Sequence, residues 1–177
     1  TIVWNKEKAP KYIYGGDGGD CLYNSEGKMI ANYNSGASPG KLFSHEAGKT
    51  KLFGKTSFGI SNSPLALHST DPNTVYYGHS QMGQPPIFDV VSLDLATGEI
   101  KNLSQKGDKA IRAIAVSEEN PNTIYYANLH VSYEGNPEGI VFVSNDAGES
   151  WVDISKGLAG SRSMRVSSIA VHPADAN

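Results

Sequence analysis

Short apolar runs separated by polar turns recur along the chain. Residues 65–78, LALHSTDPNTVYYG, recur as residues 114–127, IAVSEENPNTIYYA. Each copy begins with an apolar run, passes through a turn rich in Asn, Asp or Pro, and ends in β-branched and aromatic residues. Asn, Asp and Pro favour turns, whereas Val, Ile and Tyr favour strands. Each copy therefore predicts a pair of antiparallel strands.

Partial copies of the same pattern stand nearer the two ends of the sequence, at Ile2–Gly15 and at Ile169–Pro173. A second predicted hairpin follows in each unit, and each contains a glycine where the turn needs a left-handed backbone. These second hairpins are Cys21–Ile30, Val90–Ile100 and Val141–Val152. Windows of about 11 residues show no helical periodicity, so we expect a chain without helices.

Four short strands in each unit of roughly 50 residues are typical of β-propeller blades. The sequence predicts an all-β propeller with four-stranded antiparallel blades. We expect blade units at 1–64, with a long connection, at 65–113 and at 114–168, and the inner strand of a next blade at 169–177. Propellers close with about four to eight blades. We therefore expect an incomplete ring here, with the remaining blades on the same parent chain or on a partner.

Composition narrows the class of protein. The 177 residues are 38% hydrophobic and 19% charged, which is typical of a folded domain and not of a disordered polyelectrolyte. The net charge of −3 argues against nucleic acid as a partner. Apolar runs fall short of the roughly 18 residues that span a bilayer, so we expect no membrane span. The single cysteine, Cys21, excludes an internal disulfide and a Cys-based zinc site. We expect neither a metal nor a cofactor.

One eight-residue segment carries a family signature. Ser144–Trp151, SNDAGESW, resembles the Asp-box or BNR motif, Ser-x-Asp-x-Gly-x-Thr/Ser-Trp, and the surrounding repeat resembles Asp-box β-propellers. Sialidases, xyloglucanases, sortilin-type receptors and photosystem II assembly factors share these repeats. The resemblance implies a protein that is extracellular, at the cell surface or periplasmic. The equivalent hairpins of the other two units carry only part of the motif.

The box residues have a physical reason to be structural. Asp146 can accept hydrogen bonds from backbone amides of the turn, as can the neighbouring Ser144. Gly148 can take a left-handed conformation, and Trp151 is large enough to pack between neighbouring blades. We expect these four residues to hold the fold together.

The predicted meander also sorts the loops by face. Turns between first and second strands, and between third and fourth strands, lie at one face, and the irregular segments lie at the other. Functional residues gather on loops that a rigid scaffold holds, so we expect a site at the irregular face. These irregular segments are residues 15–20, 79–86 and 128–139, with the connections 34–64, 103–112 and 155–167.

Three acids are candidate catalytic residues. Asp17 and Asp20 flank two glycines, and a pair of carboxylates at a suitable separation can hydrolyse a glycoside. Glu134, in a long loop, could act as acid or base. The alternative is a Gly-rich turn with solvated acids and, for Glu134, a solvated loop residue.

Five further residues are candidate ligand-binding residues. Tyr133 could stack on a sugar, and Arg162 and Arg165 could grip a carboxylate, which is the arginine role that the sialidase resemblance implies. His79 and His130 lie in the same long loops. The alternative for all five is a solvated surface position, as it is for Arg112, the remaining arginine.

Three functions remain open on these residues. The first is a section of an extracellular or surface propeller that binds a glycan or a protein. The second is part of a glycoside hydrolase, sialidase-like or xyloglucanase-like, and the third is an assembly-factor propeller. The regular scaffold and the lack of a complete catalytic set favour the binding module.

Overall fold

The computed structural model describes residues 2–5, 8–12, 17–35, 38–55, 64–81, 87–104, 109–128, 140–156, 158 and 166–173. These residues form strands and turns, and no helix occurs among them. The strands are β1 Ile2–Asn5, β2 Lys8–Tyr12, β3 Asp17–Tyr23, β4 Met29–Ser35, β5 Ser38–Glu46, β6 Lys49–Lys55, β7 Leu65–Leu67, β8 Thr74–Gln81, β9 Ile87–Asp94, β10 Ile100–Asn102, β11 Ile111–Val116, β12 Ile124–Asn128, β13 Val141–Ser144 and β14 Val152–Asp153.

Twelve of these strands form three four-stranded antiparallel sheets, in which neighbours in sequence are neighbours in space. We call them blade 1 (β3–β6), blade 2 (β7–β10) and blade 3 (β11–β14). The inner strand of blade 2, β7, contacts the inner strands of both other blades, β3 and β11. The fold is therefore an all-β arrangement of propeller blades, and the predicted fold class is confirmed.

The first unit differs from the prediction. Ile2–Gly15 was expected to supply its inner pair of strands, but β1 pairs only with β2 in a separate sheet. The hairpin Cys21–Ile30 instead supplies the first two strands of blade 1. Two further strands, β5 and β6, lie within the segment 34–64 that was expected to be a connection. Leu42 and Phe43 of β5 face opposite sides of the sheet and pack into separate apolar clusters, so both are buried and no apolar–polar alternation marks this strand in the sequence.

The core lies between the blades. Alternating side chains of one strand face opposite neighbours, so Tyr77 packs into the blade 1–blade 2 core and Tyr76 into the blade 2–blade 3 core. Both rings are buried. Burial of the phenol raises the pKa of Tyr77 to about 12. Blade 2 thus packs against a neighbouring blade on each of its two faces.

The repeated turns use equivalent side chains as caps. His68 Nδ1 accepts a hydrogen bond from the Asp71 amide at 3.0 Å, and Ser117 Oγ accepts one from the Asn120 amide at 3.1 Å. A histidine and a serine thus cap the turn at one position of the repeat. His68 therefore has a structural role in its turn.

Candidate functional site

A cleft of about 220 Å³ opens where the inner strands begin, and we call it the axial cleft. All three blades contribute to it, because their inner strands lie side by side and run from this end of the molecule. It lies on the face to which the sequence assigned a site. The lining residues are Asp20, Pro64, Leu65, Arg112, Ala113, Ile114, Ser167, Ser168 and Ile169.

Asp20 is placed by a β-bulge. Between Gly18 and Cys21, two residues of β3 stand opposite the single residue Asn32 of β4. The first of the two is Gly19, where an added Cβ would lie 1.8 Å from Asn32 Oδ1, so only glycine fits without rearrangement. The second is Asp20, whose Oδ2 accepts a hydrogen bond from the Leu65 amide at 3.0 Å. The bulge thereby turns a carboxylate toward blade 2 and the cleft.

Arg112 also stands in a bulge. Ile111 pairs with Asn128 and Ala113 pairs with Ala127, so Arg112 is the extra residue of β11. Bulges redirect side chains and are over-represented beside functional sites. The guanidinium makes no hydrogen bond or ion pair within the described part of the chain. Its donor fork is therefore available to a ligand.

The remaining polar groups of the axial cleft are hydroxyls. Ser167 and Ser168 are exposed, and the side chain of neither bonds to another described residue. The cleft combines a carboxylate acceptor, a guanidinium donor and two groups that both donate and accept. Such a set can hold a ligand rich in hydroxyl or amide groups. Asp20 is the one carboxylate among the described lining residues, so a second acid for glycoside hydrolysis would have to come from elsewhere.

The other catalytic candidates are placed as follows. Asp17 lies in β3, not in the loop that the sequence predicted, and its side chain lies outside the described residues. Asp20 lies in the same strand, so the prediction of a Gly-rich loop at residues 15–20 is wrong from residue 17 onward. The bulge explains the error, because it uses glycine inside a strand. Glu134 lies outside the described residues.

His79 is also part of a strand, not of a loop. It stands in β8 directly opposite Asp89 of β9, and the Asp89 side chain is fully buried. Burial lowers the pKa of His79, against the opposing effect of the Asp89 charge. The ring contacts Tyr77 edge-on with centroids 6.3 Å apart. His79 therefore packs beside the blade 1–blade 2 core. His130, Tyr133, Arg162 and Arg165 lie outside the described residues.

The turn from Ser144 to Trp151 is closed by its own side chains. Asp146 accepts hydrogen bonds from the hydroxyl and the amide of Ser150, at 2.5 and 2.8 Å, and from the Ser144 hydroxyl at 2.7 Å. These bonds, led by the Ser150 hydroxyl, lower the pKa of Asp146 to about 2. The Gly148 amide donates to Ser144 Oγ at 2.8 Å, and Gly148 has φ of 91°. The predicted Asp-box residues Ser144, Asp146 and Gly148 thus make one hydrogen-bonded unit with Ser150.

Trp151 joins that turn to the neighbouring blade. Its indole Nε1 donates to the Leu103 carbonyl at 2.9 Å, across from blade 3 to blade 2. The ring meets Tyr126 edge-on with centroids 4.7 Å apart and packs against the blade 2–blade 3 core. The contacts are those of an inter-blade joint.

Sequence reasoning missed the three lining residues outside blade 1 that bring polar groups to the axial cleft. The sequence pattern favours a surface position for Arg112, and it does not distinguish Ser167 or Ser168. A bulge of one residue has no compositional signature, so the sequence carried no signal for the redirection of Arg112. Among the described residues, no group of three or more His, Cys, Asp and Glu side chains could hold a metal ion. The described part of the chain contains no helix that is long and apolar enough to cross a bilayer.

Comparison with known proteins identifies the fold. No protein-family model and no curated protein match the chain. One similar solved structure is the extracellular domain of a protein named as a one-component system from B. thetaiotaomicron, with TM-score 0.57 and 13% identity over 86% of this chain. Another is the GH74 xyloglucanase from Xanthomonas campestris, with TM-score 0.53 and 12% identity over 86% of this chain.

A third similar structure is a protein named as an oxidoreductase (glucose dehydrogenase) from Thermus thermophilus, with TM-score 0.51 and 16% identity over 76% of this chain. The chain spans 19%, 23% and 45% of the extracellular domain, the xyloglucanase and the oxidoreductase, respectively. Identities this low show a shared fold and carry no residue roles.

Proposed function

We propose that this chain is a section of an extracellular or cell-surface Asp-box β-propeller that binds a glycan or a protein, and that the axial cleft is its binding site. The observation that carries the proposal is the convergence of Asp20 and Arg112. Two separate bulges bring these side chains to one cleft, and the Arg112 guanidinium makes no bond to another described residue. A bulge that aims a side chain into a cleft is a common feature beside functional sites.

The chemistry of the cleft favours a ligand dense in hydroxyl groups. A carboxylate oxygen accepts from a sugar hydroxyl, a guanidinium donates to two neighbouring oxygens, and the serines do either. Pockets for drug-sized ligands measure about 300–1,000 Å³. The axial cleft, at about 220 Å³, suits a single sugar unit or one protruding side chain of a protein ligand.

The Asp-box assignment is supported by the contacts of the Ser144–Trp151 turn. In that turn Ser144, Asp146 and Gly148 bond to one another or to Ser150, and Trp151 packs onto blade 2. A location outside the cell is supported by the similar extracellular domain and by the extracellular members of the family that the motif resembles.

A glycan array with paired variants tests the proposal. The wild-type chain should retain a subset of glycans, and Arg112→Gln should lose that signal while the fold, followed by circular dichroism, is unchanged. Lys101→Gln is the matched control, because Lys101 is an exposed cation in β10, away from the lining residues. A chain that retains no glycan and captures no protein in a pull-down, or one whose ligands survive Arg112→Gln, would refute the binding site.

A glycoside hydrolase remains the second candidate, because the Asp20 carboxylate reaches the cleft. Asp20→Asn retains an oxygen for the Leu65 amide and replaces the charged carboxylate by a neutral amide of nearly the same shape. If the chain hydrolyses a glycan from a panel, and Asp17→Asn, Asp20→Asn or Glu134→Gln abolishes hydrolysis while binding persists, the hydrolase is correct. Hydrolysis that survives all three variants excludes a catalytic role for these acids.

We also propose that blade 3 receives a further blade on its outward face. One face of blade 3 packs on blade 2 through Phe142 and its neighbours. The opposite face carries a row of residues that pair across the four strands, namely Ala115, Tyr125, Val143 and Val152. The equivalent residues of blade 2, Ala66 and Tyr76, are buried against blade 3. In blade 3, by contrast, Val152 is 59% exposed.

Residues 169–177, which begin with a further copy of the inner-strand repeat, would supply the inner strand of that further blade. In the protein as its source produces it, Val152→Lys should then lower the unfolding midpoint by several degrees, because a buried unpaired charge is strongly destabilising. Lys101→Gln again serves as the control. An unchanged midpoint in Val152→Lys would show that no blade covers this face.

A further inference from the structure

A second and larger opening lies at the opposite end of the inner strands. It measures about 470 Å³ and is formed where β3, β7 and β11 end and turn into the next strand. We call it the turn-face groove. All three blades contribute to it, and none of its residues lines the axial cleft. The lining residues are Asn24, Ser25, Leu67, His68, Ser69, Pro72, Val116 and Glu118.

The floor of the turn-face groove is apolar. Leu67 and Val116, at the ends of β7 and β11, are half-buried, because one side of each packs against an inter-blade core. The remainder of each side chain is left at the groove, next to Pro72. An aliphatic side chain from a partner would bury this surface, which is favourable in proportion to the area removed from water.

The rim is polar and negative. Ser25, Ser69 and Glu118 are exposed, and no hydrogen bond or ion pair joins their side chains to other described residues. The three turns around the groove carry Glu26, Asp71, Glu118 and Glu119 against one cation, Lys28. That cation lies 3.7 Å from Glu46, so its charge is already opposed. Hydrogen bonds from Thr74 and Asn73 lower the pKa of Asp71, which keeps this rim negative.

The turn after β7 determines which ring nitrogen of His68 can donate a hydrogen bond into the groove. His68 Nδ1 accepts hydrogen bonds from the amides of Asp71 and Thr70, at 3.0 and 3.3 Å. The proton of the neutral ring is therefore on Nε2, which becomes a donor. Apart from this imidazole, the described residues that line the groove include no aromatic side chain on which a sugar could stack.

We propose that the turn-face groove docks an extended protein segment in which a lysine or arginine stands beside an aliphatic side chain. The aliphatic group packs on Leu67 and Val116, the cation meets Glu118 at the rim, and His68 Nε2 donates to a backbone carbonyl of the segment. Charge complementarity selects this occupant over an acidic segment. The proposal is independent of the axial cleft, which lies at the other end of the inner strands.

Fluorescence anisotropy of labelled nonapeptides, titrated with the 177-residue chain, measures whether they bind the groove. A peptide with a central Leu-Lys pair should bind, replacement of its leucine by serine should weaken binding about tenfold, and replacement of its lysine by glutamate should abolish it. Glu118→Gln should weaken binding of the Leu-Lys peptide about threefold and reduce its salt dependence. Ser69→Arg, which places a bulky cation at the rim, should block it.

Glu99→Gln is the matched control, because Glu99 is an exposed acid in a turn of the same face that does not line the groove. Circular dichroism melts of every variant establish that each remains folded. Equal binding of the Leu-Lys and Leu-Glu peptides would overturn the proposal. So would binding that Ser69→Arg leaves intact, a sugar that binds this groove in place of the peptide, or no peptide binding at millimolar concentration.

Discussion

The carboxylate of Asp20 in blade 1 accepts a hydrogen bond, 3.0 Å long, from the backbone amide of Leu65 in blade 2. One oxygen therefore joins two inner strands at the mouth of the axial cleft, and the rest of the carboxylate lines that cleft. The same side chain serves the fold and the proposed site. Substitutions at this position can separate the two roles, because an amide retains the acceptor and loses the charge.

Asp20→Ala should lower the free energy of unfolding by about 1 to 2 kcal/mol, because the Leu65 amide loses a charged acceptor in a partly buried position. Asp20→Asn should lie within about 0.5 kcal/mol of the wild type, since its side-chain oxygen accepts the same bond. Urea unfolding followed by tryptophan fluorescence measures both. Equal destabilisation by the two variants would show that the charge, and not the bond to Leu65, stabilises the joint.

Trp151→Phe should destabilise the chain by about 1 kcal/mol, because the buried Leu103 carbonyl loses its indole donor while most of the packing on Tyr126 survives. Trp151→Ala should cost about 3 kcal/mol, since the ring contact is lost as well. Urea unfolding midpoints of the wild type and the two variants give these differences, provided that the m-value is the same in all three. If phenylalanine is as stable as tryptophan, the bond to Leu103 contributes nothing to the joint.

Two glycines with positive φ provide a matched pair. Gly148 and Gly27 have φ of 91° and 77°, so alanine is strained by a similar amount at each. An added Cβ at Gly148 would lie 2.8 Å from Leu103 Cβ, whereas at Gly27 nothing lies within 4 Å. Gly27→Ala should therefore cost about 1 kcal/mol and Gly148→Ala about 1 to 3 kcal/mol more. If thermal melts show that the two variants lose equal stability, the close approach of Gly148 to Leu103 in blade 2 does not limit the residue at that position.

Acid should weaken the Ser144–Trp151 turn. The folded-state pKa of Asp146, about 2, lies below the ordinary carboxyl value of 3.8. The stability that its hydrogen bonds contribute is therefore complete above that ordinary value and is lost as the pH falls through about 2. The unfolding midpoint of Asp146→Asn should lie below that of the wild type at pH 5, and the gap should narrow toward pH 2. A gap that is independent of pH would contradict the lowered pKa.

The repeat made much of the fold predictable, and the exceptions have a common physical cause. The copies at residues 65–78 and 114–127 correctly predicted β7–β8 and β11–β12, because apolar and aromatic side chains repeat at the same positions of both copies. Blade 1 was misassigned where the apolar–polar alternation fails, at the bulge before Cys21 and at Leu42 and Phe43, which face opposite sides of β5 and are both buried. A bulge adds one residue and leaves composition unchanged.

The same cause limited the prediction of the site. Loop patterns led us to expect a site at the irregular face, and the flanking glycines made Asp20 a candidate, yet Arg112 was expected to be a surface residue. Arg112 reaches the axial cleft because it is the extra residue of a bulge in β11, and only the pairing of β11 with β12 reveals that bulge. Glu134, His130, Tyr133, Arg162 and Arg165 lie outside the described residues, so their predicted roles stay predictions.

The central proposal is tested most directly with one glycan that the array identifies, by measuring its affinity for the wild type and three variants. Isothermal titration of the wild type, Arg112→Gln, Asp20→Asn and the double variant measures whether both side chains hold the same ligand. The axial cleft predicts that each single change weakens binding about tenfold or more, and that the double variant loses less than the sum of the two. Unchanged affinity in Arg112→Gln, or strictly additive losses at the two positions, would contradict a shared site.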